Sequence, residues 1–398
     1  SLGANQVILD NKDYYNRLRK KFDKQVKFIL VNDSKQELYN IAYKKRSDNI
    51  NIPIIAVTGS SGKTTTKAML DHILSGSYNI LKTPGNNNNL IGVPLALLKL
   101  SNDHNFGVFE LGTNSLGEIK KLAELVRPKY AVLTNVSFSH LSGFCSIDNI
   151  IKEKTELLKC LPSDGIVCVN NDDLYINQIK KYIKSEFVTI GIKNKSDFMA
   201  KDISIDINSL RYKLNRHDVV FACSGLHNVY NSLSAIAMAS IISGDLDLCI
   251  NRLANFQGVK SRFEIKNKGG VYYIDDTYNA NPNSFFSAIE TIKLLRTKFK
   301  RIIAFVSDML ELGDNSQDLH QDLGRHLGNL NPDKIFIFGN FAKHVAEGLR
   351  QSRLSEEKFS IADMDNFSWR PSEGDLVFVK GSRGTRMERV FYQLGIKN

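Results

Sequence analysis

The stretch that most constrains this chain is Val57-Thr58-Gly59-Ser60-Ser61-Gly62-Lys63-Thr64-Thr65-Thr66. An apolar run of strand length, Ile54-Ile55-Ala56-Val57, leads into it, and a helical pattern over 65–75 leaves it. Strand, glycine turn and helix in that order favour a parallel sheet, because a strand that runs into a helix rejoins its sheet by a crossover. The glycines let the turn curl until successive N–H groups face one point, and the helix N-terminus adds partial positive charge there. Such a turn suits phosphate. Lys63 can neutralise phosphate oxygens and the Thr64 hydroxyl can reach a magnesium ion. Gly59, Ser60, Ser61, Gly62, Lys63, Thr64 and Thr65 are therefore the expected nucleotide-binding residues. The loop is shorter than the general G-x-x-x-x-G-K-[ST] pattern, because Val57 stands where that pattern has its first glycine.

The chain has 398 residues, more than the roughly 250–300 over which one core keeps growing. Apolar runs at 108–109, 130–133 and 166–169 alternate with helical patterns such as 147–161, which extends the parallel sheet through a segment from 52 to 259. Within it, the polar stretch 193–219 reads as a small β excursion. A second alternation follows from 260 to 398, with strand-like runs at 271–274, 302–306, 334–338 and 376–379, and is of Rossmann-like size. Residues 1–51 hold an apolar run at 28–31 and a helical stretch at 36–45, but too few apolar residues for a core of their own. The expected architecture is α/β: a central P-loop ATPase-like parallel-sheet domain, a C-terminal Rossmann-like domain and a short, partial N-terminal domain.

Composition narrows the function class. Apolar residues make up 42% and charged residues 24%, ordinary for a globular protein. No run approaches the ~20 apolar residues of a membrane helix. Nor does the start, Ser1-Leu2-Gly3-Ala4, resemble a secretory signal; beginning on Ser1, it reads as a trimmed or truncated start. The five cysteines form no C-x-x-C pair, which points to a reducing, cytoplasmic setting. The net charge of +11 is spread over scattered lysines without interleaved aromatics, which argues against a nucleic-acid groove. It is compatible with a polyanionic substrate.

Further candidates lie at strand ends, where parallel sheets meet their ligands. Glu110 ends the 108–109 strand, and His140 follows the 130–133 strand. With Thr64 they form the expected magnesium set. Gly225-Leu226-His227-Asn228-Val229-Tyr230-Asn231 opens an Ala-rich helix, and an Asn there is either a cap or a nucleotide contact. Asp275-Asp276-Thr277-Tyr278-Asn279-Ala280-Asn281-Pro282 follows an apolar strand, either as a plain strand-to-helix loop or with an aspartate placed for ribose hydroxyls.

Taken in order, these stretches resemble the Mur ligase family, in particular its branch that adds D-alanyl-D-alanine to UDP-N-acetylmuramoyl-tripeptide. The resemblance also rests on Thr83-Pro84-Gly85-Asn86-Asn87-Asn88-Asn89, Glu110-Leu111-Gly112-Thr113-Asn114, Lys152-Glu153-Lys154-Thr155-Glu156-Leu157, Ser261-Arg262-Phe263-Glu264, Asp308-Met309-Leu310-Glu311-Leu312-Gly313 and Lys380-Gly381-Ser382-Arg383. It runs nearly the whole chain. It implies a cytoplasmic, monomeric ligase that uses ATP and two magnesium ions to make an acyl phosphate, which an amine then attacks. Lys63, Lys154, His140, Asn88 and Asn89 would serve the chemistry, with Lys154 carbamylated. Asn228, Asn231, Arg262 and Asp276 would hold the nucleotide. Lys380, Ser382, Arg383, Tyr278, Asn279 and Asn281 would face the substrates. The first fifty residues resemble the second half of the family's UDP-sugar-binding domain. Thr113, Ser115, Ser261 and Ser307 depart from the family's usual residues. A related ligase for a different acid and amine, and a non-catalytic nucleotide binder, are the alternative readings.

Overall fold

The computed structural model describes residues 4–22, 26–138 and 141–396. Its centre is a nine-stranded sheet in the order His217–Phe221, Ser209–Leu214, Phe198–Asp206, Glu186–Gly191, Ile166–Asn170, Tyr130–Leu133, Ile54–Thr58, Phe106–Glu110, Ile80–Lys82. From Phe198–Asp206 to Ile80–Lys82 every pairing is parallel. Strand Ile54–Thr58 is buried along its whole length, so it reads as a continuous apolar run. Its side chains still alternate between two cores. Ile54 and Ala56 join helices Glu118–Val126 and Ile147–Lys159, while Ile55 and Val57 join helices Lys63–Leu74 and Leu226–Ser243.

The 193–219 stretch is β, as expected. Its strands extend this same sheet, with Phe198–Asp206, Ser209–Leu214 and His217–Phe221 paired antiparallel. Leu210, Tyr212, Leu214, Val219 and Phe221 point inward to the core at alternate positions, and polar residues between them dilute the apolar signal.

A second sheet has six strands in the order Glu264–Lys268, Val271–Asp276, Asp375–Lys380, Arg301–Val306, Lys334–Ile337, Phe359–Ile361, antiparallel only at its first pair. Helices Pro282–Leu294, Ser316–Leu330 and Ala342–Gln351 cover one face around Ile274, Ile302, Ala304 and Phe378. The expected α/β architecture is therefore present. The short strands Ile80–Lys82, Glu186–Gly191, Glu264–Lys268 and Phe359–Ile361 had no clear sequence signal.

At the start of the chain, strands Gln6–Leu9 and Lys27–Leu30 pair in parallel, and helix Lys12–Phe22 buries no residue. Helix Ser34–Asp48 fastens this region to the central sheet. Its Arg46 guanidinium, 2% exposed, donates to the carbonyls of Asn49, Ile52, Val126 and Arg127 at 2.6–3.1 Å. The Asn49, Val126 and Arg127 carbonyls lie at the ends of helices Ser34–Asp48 and Glu118–Val126, where backbone acceptors lack helical partners, and Ile52 lies in the loop before strand Ile54–Thr58. Among the described residues, no helix is long and apolar enough to cross a membrane.

Candidate active site

The phosphate-type loop sits at the C-terminal end of strand Ile54–Thr58. Gly59 adopts φ +146°, and a Cβ there would lie 2.0 Å from Thr134 Oγ1. Gly62 precedes helix Lys63–Leu74 at φ +83°, and a Cβ there would lie 2.3 Å from Asn231 Oδ1. Glycine is thus required twice, by backbone angle and by space. The neighbouring loop 134–137 clamps the turn. Ser60 N–H donates to Asn135 O, Ser61 N–H to Asn135 Oδ1, Thr134 Oγ1 to Ser61 O, and Ser60 Oγ to Ser137 O, at 2.6–3.1 Å. Thr65 is buried in the helix's first turn.

Glu110, 1% exposed, ends the adjacent strand Phe106–Glu110 and gathers the polar groups. Its Oε1 accepts from Thr64 Oγ1 at 3.0 Å and Asn88 Nδ2 at 2.8 Å. Its Oε2 lies 3.2 Å from the Lys67 ammonium but makes no well-aligned hydrogen bond. Lys67, Lys63 and Arg262 hold the Glu110 carboxyl below the usual range against the opposing effect of burial. Arg262 crosses from the six-stranded unit, donating from Nη2 to Thr64 Oγ1 at 2.8 Å while lying 4.0 Å from the Tyr278 ring centre. The result is a cation-rich cluster beside the loop, suited to a polyphosphate.

Lys63 Nζ folds onto its own loop, donating to Gly59 O at 2.8 Å and Ser60 O at 3.2 Å. Burial lowers its pKa. Lys154, 2% exposed, reaches the same Gly59 carbonyl at 3.1 Å from helix Ile147–Lys159. Burial first, then the nearby Lys63 charge, pulls its pKa well below the ordinary lysine value. That favours the neutral amine, the form able to take up carbon dioxide as a carbamate.

A divalent cation fits this donor set. Thr64 and Glu110 offer oxygens alone, as magnesium prefers, and Glu110 Oε2 is buried without an aligned donor. Among the described residues no group of three or more His, Cys, Asp or Glu could hold a metal unaided. A bound cation would thus draw on phosphate and water, as magnesium commonly does. His140, expected in this set, lies outside the described residues.

The other expected residues divide. Asn88 joins the cluster, whereas Asn89 Oδ1 accepts from Ile91 and Gly92 N–H, starting helix Gly92–Leu97. Asn231 packs on Gly62 and accepts from Thr66 Oγ1, and its amide donates to Asn228 Oδ1. Asp276 binds Phe263 N–H and, at 2.6 Å, the ammonium of Lys380, which is 1% exposed and also donates to Asn279 O. Lys380 is thus an internal cation here, not part of an open wall. Ser382 is buried too, accepting from Leu310 N–H, and Arg383 is the exposed member of that run. Asn279 Oδ1 accepts from Ala280 N–H. Asn281 caps helix Pro282–Leu294 in a reciprocal capping box and donates to Ser61 Oγ at 2.9 Å, touching the phosphate loop from the second sheet.

Two contributors escaped the sequence reading. Lys67 follows Lys63 by four residues, hence on the same helix face, a usable signal. Glu153, 1% exposed, accepts from Thr113 Oγ1, Gly117 N–H and Ile119 N–H at 2.6–3.1 Å. It anchors the loop after Glu110 to the helix that carries Lys154; only its adjacency to Lys154 hinted at this.

Known proteins resemble this chain over nearly its whole length. The family model of the Mur ligase middle domain matches residues 57–239, and that of the Mur ligase, glutamate ligase domain matches residues 261–383. The UDP-N-acetylmuramoyl-tripeptide--D-alanyl-D-alanine ligase of Haemophilus influenzae is 33% identical over 379 residues, covering 92% of this chain and 81% of that protein. Its Bacillus subtilis counterpart is 31% identical, covering 92% and 80%. A crystal structure of MurF from Acinetobacter baumannii superposes with a TM-score of 0.88 at 29% identity, covering 100% of this chain and 92% of that one. The MurF ligase of Thermotoga maritima, solved in complex with ADP, gives 0.83 at 25% identity, covering 98% and 94%.

Proposed function

The chain belongs to the Mur ligase family, and on that premise we propose that it joins D-alanyl-D-alanine to UDP-N-acetylmuramoyl-tripeptide with conversion of ATP to ADP and phosphate. The observation that carries the reading is the buried Thr64–Glu110 pair ringed by Lys63, Lys67 and Arg262 at the mouth of the glycine loop. A carboxylate is a poor electrophile. Its oxygen attacks the γ-phosphorus of ATP, the bond to the β-phosphate oxygen breaks, and ADP leaves with that electron pair. The dipeptide amine then attacks the acyl carbon, phosphate departs, and the amine sheds a proton as the amide forms.

In this scheme loop N–H groups and Lys63 hold the phosphates, with Arg262 reaching them from the second unit. Thr64 and Glu110 would hold magnesium, with His140 as a further ligand. When bound, magnesium offsets charge on the transferring phosphoryl group. Asn88 orients the acid beside Glu110. Lys154, as its carbamate, adds an anion facing the loop. Asn228 and Asn231 border the base and Asp276 the ribose, while Tyr278, Asn279 and Arg383 border the incoming dipeptide. We divide the chain at 1–51, 52–259 and 260–398. We read the protein as a monomer. The five cysteines are free and no described helix could span a membrane, which supports a cytoplasmic location.

The test is phosphate release with ATP, magnesium, UDP-N-acetylmuramoyl-tripeptide and D-alanyl-D-alanine, omitting each in turn. Dependence on all four is expected. Turnover with another acid or amine in place of these would reassign the substrates, and no amine-dependent release with any would overturn the ligase reading.

A further inference from the structure

Lys67 is a buried cation that the proposed chemistry does not use. It is 4% exposed, on the second turn of helix Lys63–Leu74. Its ammonium has three neighbours: Thr83 O at 2.9 Å, Gly85 O at 2.5 Å and Glu110 Oε2 at 3.2 Å. Thr83 Oγ1 in turn accepts from Glu110 N–H at 3.0 Å. Further along the same loop, Asn88 is held twice, by its amide on Glu110 Oε1 and by Gly112 N–H on its carbonyl at 2.8 Å. The segment between them, 84–88, is mostly exposed and, apart from short local turns, contains no regular helix or strand. At its entry the Lys67 ammonium adds to two ties from the neighbouring strand, Thr83 N–H on Val108 O at 3.2 Å and Glu110 N–H on Thr83 Oγ1, and it is the tie that comes from the helix.

We infer that Lys67 is a positioning residue for the reaction, tying the asparagine loop 83–89 and the Glu110 carboxylate to the helix that binds the nucleotide. The proposal rests on the ligase reading for its kinetic part alone. An ammonium suits the task because it has three donors and meets two carbonyls and a carboxylate. Burying it costs free energy, which two hydrogen bonds to carbonyls and the ion pair with Glu110 offset. Because one side chain holds both partners, the loop carrying Asn88 cannot move independently of the helix that carries Lys63. Acid and phosphate donor are thereby kept in one frame, which is where near-attack geometry has most leverage.

The test compares Lys67→Met, which removes all three donors, with Lys67→Arg, which keeps charge and donors. Hydrogen exchange on the unliganded protein gives the first readout and needs no substrate. In Lys67→Met, amides of 83–92 should exchange at least about tenfold faster, while 54–58 and 69–74 keep their protection. Steady-state kinetics give the second: a fall in kcat of about tenfold or more, with KM for the acid raised more than KM for ATP. Lys67→Arg should recover part of both. Unchanged exchange in 83–92 would overturn the tether whatever the protein catalyses. A uniform rise in exchange with equal effects on both KM values would make Lys67 merely structural. Loss of the ligase reading alone would leave the exchange result standing.

Discussion

The two halves of the site are built differently. The phosphate half draws on residues 59–67, a few residues of continuous chain, and is fastened by backbone-directed bonds from 134–137 and by Lys67. The other half, in the six-stranded unit, reaches it through Arg262 on Thr64 and Asn281 on Ser61. One half is fixed by local geometry and the other by how two sheets meet. The first half can hold phosphates before catalysis, while the second, seated on the central unit also through Lys298 on Asp206 and Leu226 N–H on Thr291 Oγ1, can open along that seam to admit and release substrates.

Breaking the phosphate half should cost most. Lys63→Met is expected to lower kcat about 10³-fold, equivalent to ~4 kcal/mol, in the phosphate-release assay. Gly59→Ala forces a Cβ against Thr134 at a φ that L side chains rarely adopt. Thermal unfolding should show a loss of about 3 kcal/mol together with weakened ADP binding.

The seam between the halves should respond to acid. His227, at the start of helix Leu226–Ser243, meets the Phe263 ring edge-on at 5.5 Å. Burial lowers its pKa to about 4, with Asp276 opposing and Lys380 assisting. The unfolded chain, with an ordinary value near ~6.5, binds the extra proton first as pH falls. His227 therefore contributes stability above that pH, and the contribution declines as pH drops from ~6.5 to ~4, by about 2 kcal/mol given the ring's partial exposure. Denaturant midpoints of His227→Leu should show a flatter acid limb; an unchanged limb would remove His227 from the seam.

The smallest effect sharpens the contrast. Asn281→Ala removes a cap and the Ser61 contact, for about 1 kcal/mol of stability. Asn281→Ser keeps the cap but shortens the reach to Ser61. If both variants raise KM for the dipeptide several-fold while ADP affinity holds, the two halves are separable; equal changes in both constants would mean they act as one body.

Residues adjacent in sequence were the legible ones. The glycine loop, its flanking strand and helix, Glu110 at a strand end and the Asp275–Pro282 turn follow from spacing, because local backbone geometry dictates those residue types. The N-terminal region's thin core was also readable, since counting apolar residues suffices. Partner choice over long separations was not readable. Lys380 looked like a pocket residue and is instead paired with Asp276, 104 positions away. Asn89, expected beside Asn88 in the chemistry, starts a helix.

By itself, then, the sequence determined an α/β chain with a glycine turn of the phosphate-binding kind and the family to which it belongs. Only the tertiary structure decided which charges neutralise one another, Lys67 with Glu110 and Lys380 with Asp276, and that Lys154 meets the Gly59 carbonyl. The physical reason is range. A turn's conformation is fixed by neighbours a few residues apart, whereas a buried charge is stable only beside partners that folding brings from distant segments, and nothing in local spacing encodes which ones those are.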